Sequence, residues 1–319
     1  MVEFVKNEEE VNPDFGYYLE SRPPEIHIRF GVINLDKPPG PTSHQVSSWV
    51  KRIAEVSKAG HGGTLDPSVT GVLPIGLEDA TNALTYIIHS SKEYIGLMRL
   101  QGKVLQDELE CVVSLFQGRI YQRPPLRSAV RRKLRTRRIY DFKVLEAEGR
   151  HVLFHIECES GFYVRKLAHD VGLMLGVGAH LRELRRVRSG SFPEDETLVN
   201  LYKVKEAFHI WRETEDFEHI RRVVQPMESA FKGFPRVVVR DSAVGALCHG
   251  SRLFVPGILR ITSDVKEGDV MAIFTQKGEI VAVGRATIDY RKVLESSKGV
   301  AASLNRVLMP RDLYPKMWR

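Results

Sequence analysis

Apolar and polar positions change rhythm several times along the chain, and each change marks an element. The run GVINLDK, residues 31–37, is rich in aliphatic residues and predicts the first clear strand. Behind it PPGPTSHQV reads as a turn and then a helix start: Thr42 with Gln45 three residues on fits a capping box, and Val46, Trp49, Val50 and Ile53 then recur at helical spacing. A second helix is expected through DATNALTYII, with Ala83, Leu84, Ile87 and Ile88 on one side. EYIGLMRL alternates, placing Tyr94, Gly96, Met98 and Leu100 on one face of a strand. HVLFHIECESGFYV reads as a strand, and RKLAHDVGLMLG as a helix whose apolar stripe is Leu167, Ala168, Val171, Met174 and Leu175. From about Phe234 the character changes to short valine-rich strands between glycine turns: RVVVRDSAV, then GDVMAIFTQKGEIVAVGRATI, whose halves form a hairpin around Gln276, Lys277 and Gly278. Strands and helices mix without regular alternation, so the expected class is α+β rather than a doubly wound sheet.

Composition narrows this picture. With 319 residues and 43% hydrophobic content the chain can bury one large core and a smaller one. No stretch approaches the roughly 20 apolar residues of a membrane helix, and the acidic start MVEFVKNEEE has no signal-peptide character; a cytoplasmic protein without a membrane segment is expected. Cys111, Cys158 and Cys248 are far apart, with neither metal-ligand spacing nor an even set for a disulfide framework. His151 and His155 fall in an alternating strand pattern, so no metal is predicted. The net charge of +7 is less telling than its distribution. Between Arg119 and Arg138 stand nine Lys or Arg and no acid, including Arg127, Arg131, Arg132 and Arg135, and RELRRVRSG adds Arg182, Arg185, Arg186 and Arg188 around a single Glu183. Such density is either a solvated face or the footprint of a phosphate-backbone binder; two clusters with Pro and Tyr nearby favour nucleic acid.

The chain lacks a G-x-x-x-x-G-K-[ST] phosphate loop, a G-x-S-x-G elbow and an H-E-x-x-H helix, and Gly172, Gly176 and Gly178 lack the strand-first context of a dinucleotide fingerprint. The stretch that stands out is GHGGTLDPSVTGVLPIG, residues 60–76. Gly60, Gly62 and Gly63 permit close backbone approaches and Pro67 keeps Asp66 out of the helical region. Alone, Asp66 reads first as a turn initiator, and only second as a carboxylate presented to a partner. Arg165 sits where a strand gives way to a helix, near the positive end of the macrodipole, where a cation is mildly disfavoured unless something anionic faces it.

Taken together, GHGGTLDPSVTGVLPIG, KEY at 92–94, GFYVRKL and GVGAHLRELRRVRSG resemble, in order and spacing, the motifs of the TruB family of pseudouridine synthases. GVINLDKPPGPTSHQV, QRPPLRSAVRR and a C-terminal segment similar to a PUA domain narrow the resemblance to the archaeal dyskerin branch, over nearly the whole chain. The resemblance implies an α+β catalytic domain with a mixed, largely antiparallel central sheet flanked by helices, and a small β-barrel-like PUA domain. The implied division is an extension at 1–30 packing on the PUA domain, a catalytic domain at 31–232, the PUA domain at 233–311 and a tail at 312–319. The implied reaction isomerises uridine in RNA without a cofactor: the glycosidic bond to N1 is cut, the uracil turns, and C5 is joined to the ribose.

By the same resemblance Asp66 is the nucleophile, at ribose C1' or uracil C6. A nucleophilic carboxylate must be ionised, and a pocket that excludes water opposes this; Arg165 matches the family arginine that faces it. Tyr94 matches the tyrosine that stacks on the target base and takes the C5 proton, Leu184 the apolar pocket wall, and His61 the histidine that fills the space of the flipped base. Phe162 departs from the family pattern, which has threonine beside the arginine. The implied partners are a box H/ACA guide RNA and its substrate RNA, chiefly ribosomal with transfer RNA as a further substrate. Three proteins join them: a small zinc-fold-like protein on the catalytic domain, a glycine-arginine-rich protein, and a kink-turn-binding protein held through the guide. Arg127, Arg131, Arg132, Arg135, Arg185 and Arg186 are expected on phosphate backbones. A stand-alone transfer-RNA enzyme and a non-catalytic RNA scaffold are the competing readings.

Overall fold

In a computed structural model, which describes residues 2–124, 133–315 and 317, the chain divides into two compact units: residues 31–225, and residues 1–30 together with 226–319. The mixture of strands and helices is α+β, as the pattern implies. In the 31–225 unit the strands follow one another across the sheet in the order Gly31–Lys37, Thr70–Leu77, Ala179–Ser189, Lys92–Leu100, His151–Cys158, Arg135–Glu148 and Gly118–Gln122. Neighbours run antiparallel except Thr70–Leu77 and Ala179–Ser189, which are parallel.

That parallel contact is short. Thr70 and Gly71 pair with Arg185 and Arg186, whereas Ile75, Gly76 and Leu77 pair instead with the brief strand Ala59–His61. The strand changes partner within its own length, and the loop 62–69, which carries Asp66, joins the two segments involved. The helix Ser43–Ala54 precedes this region and begins as predicted: the Gln45 amide donates to Thr42 Oγ1 (3.2 Å) while the Thr42 amide donates to Gln45 Oε1 (2.8 Å).

Lys92–Leu100 alternates as its sequence does, with Tyr94, Gly96, Met98 and Leu100 buried. Other expectations change. DATNALTYII is not one helix but a 3₁₀ turn, Glu78–Asn82, followed by Leu84–His89, and Ile88 is exposed. The strand HVLFHIEC stops at Cys158, because Gly161 takes a left-handed φ of +73° and turns the chain into the helix Val164–Met174. Met174 lies outside that helix's buried stripe. The largest revision is Ala179–Ser189: an arginine-rich run expected on the surface is a central strand.

In the other unit seven strands form one sheet, ordered Glu3–Val5, Ile258–Thr262, Arg236–Val239, Val270–Phe274, Ile280–Ala286, Val300–Val307 and Leu253–Phe254. The hairpin turn over Gln276–Gly278 is as predicted, but RVVVRDSAV is strand only to Val239, and Asp241–Cys248 is a helix. Val237, Ile261, Ile273 and Val281 lie at the core. Residues from the start of the chain complete it. Glu3–Val5 covers the edge of Ile258–Thr262, and the buried Arg22 makes two bonds to Glu228, 2.7 and 3.0 Å. Lys277 Nζ donates to the carbonyl of Pro13 at 3.0 Å.

Candidate active site

The two readings of Asp66 are both realised. Its carbonyl accepts the Val69 amide at 3.0 Å, closing a turn over Pro67 and Ser68. Its carboxylate, turned outward, accepts a hydrogen bond from Arg165 Nη2, ninety-nine residues away. The pair is half exposed, at 54% for Asp66 and 57% for Arg165, so it lies open to a molecule arriving from solvent.

The loop behind Asp66 is held by groups the sequence did not announce. Ser43 is fully buried, and its hydroxyl accepts the Leu65 amide (2.9 Å) and faces the Leu65 carbonyl (3.2 Å), fixing the residue before Asp66. Lys37, also fully buried, donates from Nζ to the carbonyls of Pro38, Pro67 and Val69, each at 2.9 Å. Burial lowers its affinity for a proton, and the nearby Asp66 carboxylate works against that. The available signal was a lysine at the end of the apolar run GVINLDK, where an ammonium needs several acceptors.

Glycines shape the loop by close approach. At Gly71, φ is +97° and a Cβ would stand 2.2 Å from the Arg186 carbonyl oxygen; at Gly62 it would stand 2.9 Å from Ile87 Cγ2. On the opposite wall, buried Gln122 donates to the Tyr163 carbonyl (3.1 Å) and accepts the Tyr163 amide (3.0 Å), clamping the residue that caps the Arg165 helix. Arg165 is therefore the second residue of a helix whose start is fixed, and the carboxylate it meets offsets its unfavourable place on the macrodipole.

Tyr94 is buried and stands opposite Arg186 across the strand pair, with Leu184 opposite Gly96 two positions on. Tyr94 and Leu184 thus share one face of neighbouring strands. Burial raises the Tyr94 phenol's pKa, while the positive charge of Arg186, its cross-strand neighbour, pulls the other way. Phe162, in the threonine position of the family pattern, is buried beside the start of the Arg165 helix. His61 lies edge-on to His44, with ring centroids 4.9 Å apart, and its pKa is lowered to about 4 by desolvation first and then by His44 and Arg186.

The basic clusters resolve unevenly. Arg127, Arg131 and Arg132 lie outside the described residues. Arg135 is half-buried at the start of Arg135–Glu148. Arg185 bonds Asp36 (3.0 and 3.1 Å) and Glu194 (2.6–3.0 Å), and Arg188 bonds Glu93 (2.7 Å) and Glu157 (2.6 Å). Arg186 is 1% exposed. Two arginines expected on phosphate therefore meet acceptors of the protein itself, Arg185 as a partly buried ion pair and Arg186 as a buried side chain. Among the described residues no group of His, Cys, Asp and Glu could hold a metal ion, and no helix is long and apolar enough to cross a membrane.

An outward aspartate bonded to an arginine, in a loop hinged by glycines, makes the candidate site of an α+β protein an aspartate-centred one. Known proteins make the class specific. Residues 51–164 match the N-terminal domain of the TruB family pseudouridylate synthases, and residues 165–232 the C-terminal domain of tRNA pseudouridylate synthase B. Residues 235–308 match the PUA domain and residues 3–47 the DKCLD domain. A probable tRNA pseudouridine synthase B of Thermococcus kodakarensis is 54% identical over 316 residues, 99% of this chain and 94% of its own; one of Archaeoglobus fulgidus is 48% identical over 99% of this chain and 97% of its own. The chain belongs to the TruB family of pseudouridine synthases. Its backbone is similar to a chain of a Cbf5-Nop10-Gar1 complex (TM-score 0.92, 52% identity, 98% and 96% of the two chains). It is equally similar to one from an H/ACA RNP bound to a substrate RNA containing 2'-deoxyuridine (TM-score 0.93, 49% identity, 99% and 97%).

Proposed function

We propose that the protein is the catalytic subunit of an H/ACA ribonucleoprotein, isomerising uridine to pseudouridine in RNA selected by a guide. The observation that carries this reading is the Asp66–Arg165 hydrogen bond, which joins two distant motifs into one solvent-facing site. Asp66 is the nucleophile, at C1' or C6, and Arg165 keeps its carboxylate aimed and charged. Tyr94 stacks on the uracil and exchanges protons with it, and Leu184 forms the apolar wall. Flipping the uridine out of a helix costs a few kcal/mol, and neutral His61 fills the space it leaves. No cofactor enters, since the bonds broken and formed lie within the uridine.

Similarity to chains from a Cbf5-Nop10-Gar1 complex and an H/ACA RNP supports a complex with a Nop10-like protein on the catalytic domain, a Gar1-like glycine-arginine-rich protein, and a kink-turn-binding protein held through the guide RNA. We assign catalysis to residues 31–232, the PUA domain to 233–311, with 1–30 as its packed extension and 312–319 as a tail, and the complex to the cytoplasm. Guide and substrate backbones are held by the run at 119–138, including Arg127, Arg131, Arg132 and Arg135, while Arg185, ion-paired, and Arg186, buried, support the site from within the protein. Ribosomal RNA is the main substrate. The name shared by the archaeal relatives favours transfer RNA as a second one, converted with or without a guide.

The test is Asp66→Asn in the assembled complex. It is expected to leave melting and guide binding unchanged and to abolish pseudouridine formation; full activity would remove Asp66 from the nucleophile's role. Labelled transfer RNA incubated with the protein alone, and then with guide and partners, separates the two substrates.

A further inference from the structure

Arg186 has a role that the phosphate reading does not describe. It is 1% exposed, and among the described residues its hydrogen-bond partners are all uncharged. Nε donates to the Val72 carbonyl (2.8 Å), Nη2 to the Gly63 carbonyl (3.1 Å), and the guanidinium meets the Tyr94 phenol. Gly63 and Val72 stand on the two sides of the Asp66 turn. One side chain therefore ties both stems of that loop to the tyrosine. The backbone repeats the connection, since Arg186 is in register with Gly71 on one side and Tyr94 on the other.

A buried cation without a carboxylate partner costs several kcal/mol in real proteins. Two carbonyls and a phenol could be satisfied by an uncharged donor at lower cost, so the charge needs its own explanation. The reaction supplies one. Between cleavage of the N1–C1' bond and release of product, the uracil must gain a proton at N1 and lose one from C5. Once C5 has joined the ribose, a single phenol can perform the exchange by giving its own proton to N1 and then taking the C5 proton, ending as it began. Between those events the oxygen of Tyr94 is an anion in a desolvated site.

We infer that Arg186 is a positioning residue for Tyr94: its guanidinium sets the phenol's place relative to the Asp66 loop and stabilises the transient phenolate during proton exchange at C5. This rests on Tyr94 being the proton-exchanging group, and the experiment separates the two claims. Assembled complexes carrying parent protein, Arg186→Lys or Tyr94→Phe are given substrate RNA with uridine or 5-fluorouridine at the target. Fluorouridine has no C5 proton to exchange, so its rearrangement to the C5-linked nucleoside reports only on cleavage and rejoining, before the exchange begins.

Arg186→Lys keeps the charge but not the fork that meets three partners at once. It is expected to slow conversion of uridine by about 10²-fold, as loss of assisted proton transfer does, and to process fluorouridine within about twofold of parent. A C5-deuterium isotope effect larger than the parent's should accompany the slowing. If Tyr94→Phe converts uridine as fast as parent, the assignment of Tyr94 fails. If Tyr94→Phe separates the two substrates and Arg186→Lys does not, the assignment stands and the inference about Arg186 falls. Where Arg186→Lys does not fold, Arg186→Gln, an uncharged donor, takes its place. Loss of the fold in both, or equal slowing on both substrates, makes Arg186 structural and overturns the inference.

Discussion

Replacing Lys37 by Met tests whether the Asp66 loop is fixed from below. Methionine fills similar volume but donates nothing, so the carbonyls of Pro38, Pro67 and Val69 lose bonds of 2.9 Å each. Charge-assisted bonds contribute about 1.5–3 kcal/mol apiece, roughly 5–9 in all, against which the variant recovers the several kcal/mol spent on desolvating an ammonium. The difference is a loss of about 2–4 kcal/mol. For a unit of this size each kcal/mol moves the midpoint by about 2–4 °C, so melting should fall by roughly 5–15 °C. The effect on rate should be larger than stability alone implies. Pro67 and Val69 stand one and three residues after Asp66, and a misplacement of about 1 Å costs on the order of 10²-fold. Circular dichroism melts and single-turnover pseudouridine formation, below the variant's transition, measure the two effects. A variant with the parent's melting point and rate would show that the turn holds itself and that the lysine is incidental.

Three further outcomes follow from the site. Arg165→Met should keep the melting temperature within about 1–2 °C, because a half-exposed ion pair contributes little to stability, while turnover falls by at least about 10²-fold; a stability loss matching the activity loss would contradict the functional reading. Lys92, which donates to the Ile87 and Ser90 carbonyls at 2.7 Å, has its pKa lowered to about 7 by burial first and then by Arg186. The folded protein sheds this proton before the unfolded chain does, so stability should rise with pH from about 7 toward 10.5 more steeply in the parent than in Lys92→Met; equal slopes in melts across that range would refute it. His61 should titrate near 4 rather than at its ordinary 6.5. It then costs stability as pH falls from 6.5 to 4, and His44→Ala should move its NMR midpoint upward; an ordinary midpoint in the parent would count against the packing described for the pair.

Much of the fold was legible because local and tertiary demands agreed. The alternation of Lys92–Leu100, the Thr42–Gln45 box and the hairpin at Gln276–Gly278 each needed only their own residues. Ala179–Ser189 was hidden for the opposite reason. Its arginines look like a solvated surface until Glu93, Glu157, Asp36 and Glu194, from other segments, are seen to receive two of them. Lys37, Ser43 and Gln122 were missed because each acts on backbone distant in sequence, leaving no spacing to read. Asp66 and Arg165 were identifiable as a pair only through their family motifs, since ninety-nine residues separate them.

The second unit is built from both ends of the chain, and this bears on the order in which the protein can be made. Arg22 leaves the ribosome 206 residues ahead of Glu228, an interval of about 10–40 s at ordinary rates of synthesis. Residues 31–225 are made within that interval and can complete their own core by its end, when Glu228 has only just emerged and the edge strand Ile258–Thr262 is still to come. The catalytic unit is thus free to fold first, with its leading segment held in waiting. A gene fragment encoding 226–319 alone would present Ile258–Thr262 as an open, pairing-competent edge above a buried Glu228 with its cation removed.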